Sequence, residues 1–159
     1  MASNHVSYLD PVVLGVACPR NLNYMAKREL FKNSFFAWIL YDVGAFPVKR
    51  NSADLSAIRE AMRRLKKGQP MVIFPEGSRR FDNRPDEAEA GVGFLVSKVG
   101  VPVIPAFVKG TDKALPQKAK FIRPRKISVR FGEKIYIERR MPYQDIAKKI
   151  MISIRHLSC

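Results

Sequence analysis

The run Met71-Val72-Ile73-Phe74 passes directly into Pro75-Glu76-Gly77-Ser78-Arg79-Arg80. Four apolar residues that end on a Pro/Gly turn read as a buried strand. Open α/β sheets build their ligand sites just beyond the carboxyl ends of such strands. This turn offers a carboxylate (Glu76), a glycine where backbone can approach closely (Gly77), a hydroxyl (Ser78) and two guanidiniums (Arg79, Arg80). Guanidinium forks match phosphate oxygens, so the set suits an anionic, hydroxyl-bearing ligand. A solvated turn is the plain alternative, because Pro-Glu-Gly turns are ordinary.

A second motif lies near the start, in Asn4-His5-Val6-Ser7-Tyr8-Leu9-Asp10. Histidine ordinarily titrates near neutral pH, as a general base must. A carboxylate on its other ring nitrogen fixes the tautomer and supports the imidazolium that forms. On a regular helix, five steps of about 100° leave the two side chains far apart. His5 and Asp10 therefore meet only if His5 sits on an irregular turn and Asp10 in or near the first turn of the next element. Asp10-Pro11 also reads simply as a helix start, with Asp as N-cap and Pro at the first helical position. Ser7-x-x-Asp10 resembles a capping box.

Charge narrows the partners. The chain has 159 residues, enough for one domain with a substantial core. Its net charge is +15, which implies an anionic partner: nucleic acid, an acidic bilayer or a phosphorylated substrate. No zinc-finger or RRM pattern is present, and the aromatics gather in one apolar segment, so nucleic acid is not expected. Cys18 and Cys159 give no disulfide or zinc framework, and a reducing compartment is the default. No metal-ligand spacing is visible. No uncharged apolar run reaches about 18 residues, so no membrane-spanning helix is expected. No secretory signal is expected either, since Asn4, His5 and Asp10 interrupt the start.

Elements alternate along the chain. Residues 11–17 predict a short helix and Tyr24-Met25-Ala26 a strand leading into Lys27. Between Glu29 and Val43, Phe31, Phe35, Trp38 and Ile39 fall at helical spacing. That helix is either core or an exposed aromatic face that touches lipid or lines an acyl path. Phe46-Pro47-Val48 leads to Lys49-Arg50. Residues 54–67 predict the clearest helix, with Leu55, Ile58, Met62 and Leu65 as its apolar stripe and Ser52 or Asp54 as its cap. Phe81 to Ala90 reads as a surface loop. Gly91 to Val99 reads as a helix, and 101–108 as a strand bent by Pro102 and Pro105. Lys126 to Phe131 reads as an alternating strand, and 143–157 as an amphipathic helix. His156, with no motif around it, is expected at the surface.

Four ordered blocks resemble the 1-acylglycerol-3-phosphate acyltransferases and their glycerolipid acyltransferase relatives. They are Asn4-His5-x-Ser7-x-x-Asp10, Gly44-Ala45-Phe46-Pro47-Val48-Lys49-Arg50, Phe74-Pro75-Glu76-Gly77-Ser78-Arg79 and Val101-Pro102-Val103-Ile104-Pro105. Lys27-Arg28-Glu29-Leu30 is similar to a basic segment of that family. The resemblance spans His5 to about Gly132. It implies an α/β fold in which one acyltransferase domain, 1–159, has a mixed, mostly parallel central sheet flanked by helices. It further implies acyl transfer from acyl-CoA or acyl carrier protein to the free hydroxyl of 1-acylglycerol-3-phosphate, in phospholipid biosynthesis, without metal or redox cofactor. His5 would be the base and Asp10 its partner. Lys27, Arg50 and Arg79 would hold the acceptor phosphate, and Glu76 and Gly77 would position the acceptor. The expected location is peripheral, on the cytoplasmic face of an anionic membrane. Family members usually carry a strand and a helical segment before the first block. Here only Met1-Ala2-Ser3 precede it, so a missing N-terminal element and an unpaired sheet edge are expected. A related acyltransferase with another acceptor, or a basic membrane- or nucleic-acid-binding protein without catalysis, are the alternatives.

Overall fold

The structure is a computed structural model that describes residues 1–49, 54–77, 90–119, 121–138 and 140–158. Among them the strands are β1 (Ala2–Ser3), β2 (Asn23–Lys27), β3 (Ala45–Val48), β4 (Met71–Val72), β5 (Pro105–Lys109) and β6 (Ser128–Phe131). The helices are α1 (Asp10–Ala17), α2 (Ser34–Asp42), α3 (Leu55–Lys66), α4 (Ala90–Val99), the single turn α5 (Thr111–Ala114) and α6 (Tyr143–His156). A 3-10 turn, Arg28–Phe31, joins β2 to α2.

The strands form two three-stranded groups, β3-β2-β4 and β1-β5-β6. A parallel bridge between Ala2 and Ile73 joins them, giving the order β3-β2-β4-β1-β5-β6. β1 to β5 run parallel, and only β6 is antiparallel to its neighbour. This is the mixed, mostly parallel α/β sheet that the sequence implies. No edge opens at the first block. Ala2 and Ser3 are themselves strand, held between Ile73 and β5 by Ala2 N–H to Ile104 O (2.9 Å) and Ser3 N–H to Ile73 O (3.1 Å). Pro105 opens β5, the place in a strand where a missing N–H is tolerated.

Both faces of the sheet are covered. On one, α1 contributes Leu14, which packs with Val72, Ala106 and Val108. On the other, α4 and α6 bring Val92, Val96, Ile146, Ile150 and Ile154 against Ala2, Ile73 and Val103. The one-residue alternation of Val72 and Ile73, or of Ala106 and Phe107, separates these two cores. Each fully buried Ile of α6 contributes about 1.5–3 kcal/mol of burial.

Two helices sharpen the sequence reading. α3 is capped by Asp54, whose Oδ1 accepts from Ser56 N–H and Ala57 N–H (3.1 Å each). Its fully buried residues are Ala57 and Ala61; of the expected stripe Met62 and Leu65 pack against the same core, while Leu55 is 59% exposed. The small side chains let α3 approach β3 while Arg64 lies over the Phe46 ring at 4.7 Å and donates to Gly44 O. Glu60 links Arg63 and Arg64, and hydrogen bonds from those two guanidiniums hold its carboxyl down at about 2. In α2, capped by Asn33, no residue is buried: Phe35, Phe36 and Trp38 are each more than half exposed. Of the two readings for this segment, core is therefore excluded. His156 is exposed, as expected.

α4 and α6 touch where Gly93 meets Tyr143, and a Cβ at Gly93 would collide with the Tyr143 carbonyl oxygen. Gly93→Ala is predicted to force these helices apart and cost about 1–3 kcal/mol. Urea denaturation would show a lower midpoint; an unchanged midpoint would contradict this packing.

Candidate active site

The chain order places one end of the sheet apart from the rest. From β1 the chain crosses by α1 toward β2 and β3. From β4 it crosses by α4, on the other face, toward β5. The adjacent carboxyl ends of β1 and β4 thus form the switch point at which open parallel sheets leave a crevice. His5 follows β1 there, and Phe74 to Gly77 follow β4.

Asn4 makes the exit from β1. Its amide donates to Val108 O (2.9 Å) and accepts from Val108 N–H (2.8 Å), so a side chain replaces the next backbone pair with β5. The backbone is then free to turn. His5 N–H donates to Glu76 Oε2 at 3.3 Å. The His5 ring stacks on Phe74, with centroids 4.0 Å apart and planes at 19°. His5 is 7% exposed.

His5 Nδ1 lies 2.9 Å from Asp10 Oδ2. The same oxygen accepts from Val6 N–H (2.7 Å) and Ser7 N–H (2.8 Å), and Oδ1 accepts from the Thr111 hydroxyl (2.6 Å). Asp10 is fully buried. The required irregular turn is thus present, and Asp10 is the first residue of α1. It does not cap that helix: Leu9 occupies the cap position, and the carboxylate points back into the turn. Only half of the capping box forms, since Asp10 N–H bonds to the carbonyl of Ser7 and not to its hydroxyl. The Ser7 hydroxyl instead accepts from Leu9 N–H (3.3 Å) and donates to Leu115 O (3.1 Å). With Nδ1–H directed at a carboxylate, Nε2 is left with the lone pair.

Gly77 and Lys27 share this edge. Gly77 has a positive φ of 65°, and its N–H closes the turn onto Phe74 O (2.9 Å). Lys27 ends β2, half-buried, two strands from His5 across β4, about 10 Å between backbones. Arg50 and Arg79 lie outside the described residues. A cavity of about 230 Å³ lies along the same edge, lined by Asn4, Val6, Glu76, Lys109, Asp112 and Arg155 among others. A larger, more open one of about 700 Å³ borders the C-terminal end of α4, at the opposite edge of the sheet.

Three supports of the site escape a reading of the sequence: Asn4's strand-replacing amide, Phe74 as the ring under His5, and Thr111. Phe74 and Asn4 lie inside the motifs themselves. Thr111 is 101 residues from Asp10 in sequence, and only the Gly110-Thr111 pair after a strand signals a turn there.

Residues 1–109 match the profile of the Acyltransferase family. The chain belongs to the acyltransferase family. This family member is 33% identical over 123 residues to the 1-acyl-sn-glycerol-3-phosphate acyltransferase of Bacillus subtilis (strain 168), covering 76% of this chain and 61% of that one. It is 30% identical over 140 residues to the enzyme of the same name from Streptococcus pneumoniae, covering 86% and 50%. The chain thus spans about half to three-fifths of these relatives. Its fold matches the crystal structure of the 1-acyl-sn-glycerophosphate (LPA) acyltransferase PlsC from Thermotoga maritima. The TM-score is 0.75 at 23% identity, covering 99% of this chain and 65% of that one.

In this family member the Asp10 carboxylate organises its turn through these hydrogen bonds. Asp10→Ala leaves the Val6 and Ser7 N–H groups and the Thr111 hydroxyl without their acceptor and is predicted to cost about 1–3 kcal/mol. Denaturation of the substrate-free chain should register that loss; an Ala variant as stable as the parent would contradict the hydrogen-bond assignment.

Proposed function

We propose that this chain transfers a fatty acyl group from an acyl thioester, carried by coenzyme A or acyl carrier protein, to the free hydroxyl of 1-acylglycerol-3-phosphate. The observation that carries this reading is the His5–Asp10 contact at the switch point of a sheet of this family. His5 Nε2 removes the proton of the acceptor hydroxyl as its oxygen attacks the thioester carbonyl. Asp10 holds Nδ1–H and supports the imidazolium. The tetrahedral intermediate collapses with cleavage of the C–S bond, and the imidazolium returns its proton to the departing thiolate. The acceptor itself attacks, so neither Ser7 nor Cys18 forms an acyl-enzyme. Glu76 contributes through the His5 backbone, which it holds, and through the acceptor, which it faces together with Gly77. Lys27, Arg50 and Arg79 hold the acceptor phosphate as cations. No metal or redox cofactor enters this scheme, because attack, collapse and proton return are complete with His5 alone.

Incubation with long-chain acyl-CoA or acyl carrier protein and lysophosphatidic acid should yield phosphatidic acid, with thioester cleavage near background when the acceptor is omitted. Cleavage independent of the acceptor would contradict the reading.

The same reading places the chain on the cytoplasmic face of an anionic membrane, where acceptor and product reside. The charge of +15 supports this, since each cation near such a surface contributes about 1 kcal/mol. So does α2, which exposes Phe35, Phe36 and Trp38 beside Arg28 and Lys32. No helix among the described residues is long and apolar enough to cross a membrane. Trp38 is the single tryptophan, so its emission should shift to the blue on adding vesicles containing phosphatidylglycerol, and the shift should shrink as salt rises. An emission spectrum indifferent to vesicles at low salt would count against docking through α2.

A further inference from the structure

The Asp10 carboxylate is gripped from two sides. Its own turn supplies Val6 N–H, Ser7 N–H and His5 Nδ1 to Oδ2. The facing oxygen takes the hydroxyl of Thr111, at 2.6 Å and with both residues fully buried. Thr111 itself is placed with little freedom. Gly110 ends β5 with φ of 93°, and a Cβ there would collide with the Lys126 carbonyl, so a glycine is needed to turn the chain at that point. Leu115 N–H bonds back to Thr111 O (2.8 Å), and Leu115 O receives the Ser7 hydroxyl (3.1 Å). The segment 110–115 therefore clasps the His5–Asp10 turn at the acid and again at Ser7.

We propose that Thr111 is a positioning residue for the dyad: its hydroxyl fixes the rotation of the Asp10 carboxylate and, through it, the orientation of the His5 ring. Without that hydroxyl one carboxylate oxygen faces a buried methyl. The carboxylate then gains by turning about its Cβ–Cγ bond to seek other donors, and Oδ2 leaves the line to Nδ1. Because the hydroxyl acts through Asp10 and not on the acceptor, its loss falls on turnover and spares acceptor affinity. This assignment rests on the reading of His5 as the base, but the hydrogen-bond chain it describes can be observed without turnover.

The test compares the full chain with Thr111→Val, which keeps the shape and removes the donor, and Thr111→Ser, which keeps the donor. For Thr111→Val, kcat for acyl transfer to lysophosphatidic acid should fall about 10- to 100-fold, as when partners that orient a histidine are removed. KM for the acceptor should stay within about twofold, and Thr111→Ser should restore kcat. In parallel, the Nδ1–H resonance of His5 is followed by nitrogen-edited NMR; the chain has only two histidines, so the exposed His156 is told apart by His5→Ala. That resonance should move or broaden in Thr111→Val and return in Thr111→Ser. If Thr111→Val does not fold, Thr111→Cys, a weaker donor of similar size, takes its place in both readouts. A resonance that does not move, with kcat unchanged and only the melting temperature lowered, would make Thr111 merely structural and overturn the inference. A resonance that moves in a protein forming no phosphatidic acid would sustain the hydrogen-bond role and overturn the proposed reaction instead.

Discussion

The buried carboxylate of Asp10 is the interaction on which the rest of the site depends. A carboxylate taken out of water needs partners for both oxygens, or the burial is prohibitively costly. Here two backbone N–H groups, one imidazole and one hydroxyl supply them. That requirement explains why residues 4–10 fold into an irregular turn and do not simply extend α1. It also explains why a residue from beyond β5 is drawn to the start of the chain. The imidazole is oriented as a by-product of satisfying the acid.

The sheet gives that turn its surroundings. Five parallel strands bring the carboxyl ends of β1 and β4 side by side, with their crossovers leaving to opposite faces. The opening between them holds His5, its stacking partner Phe74 and the Glu76 that grips its backbone. Asn4 lets β1 stop one residue early without leaving Val108 unpaired. Lys27, which ends β2, and Lys49, just past β3, lie along the same edge. An anionic group that approaches this edge therefore meets positive charge two to three strands from the imidazole.

Much of this is legible in the residues. The strand before Pro75, the helices α3, α4 and α6, and the need for an irregular His5 turn all follow from apolar spacing, turn chemistry and helical geometry. The orientation of α3 follows only in part: Met62 and Leu65 pack against the core as their spacing implies, but Leu55 does not. Close approach to β3 instead selects Ala57 and Ala61, with Arg64 lying on Phe46. Asp10 reads as either cap or catalytic partner, and only the three-dimensional turn chooses between these, since the sequence Asp-Pro serves both. Thr111 is invisible for a different reason. Its contact spans 101 positions, and a single threonine after a glycine carries no periodicity that could link it to the first helix. The helix α2 is ambiguous in sequence because a helix apolar on all sides fits a core or a membrane surface equally well; its exposure rules out the first of these.

The claim at the centre of this account is that the oriented imidazole activates the acceptor. The most direct measurement is acceptor-dependent thiol release from long-chain acyl-CoA by the parent chain and by His5→Gln, with the melting temperatures of both recorded. The account predicts a folded variant whose release falls by about 10²- to 10⁴-fold, the usual contribution of a general base. Acceptor-dependent release that persists at the parent rate in His5→Gln would contradict it.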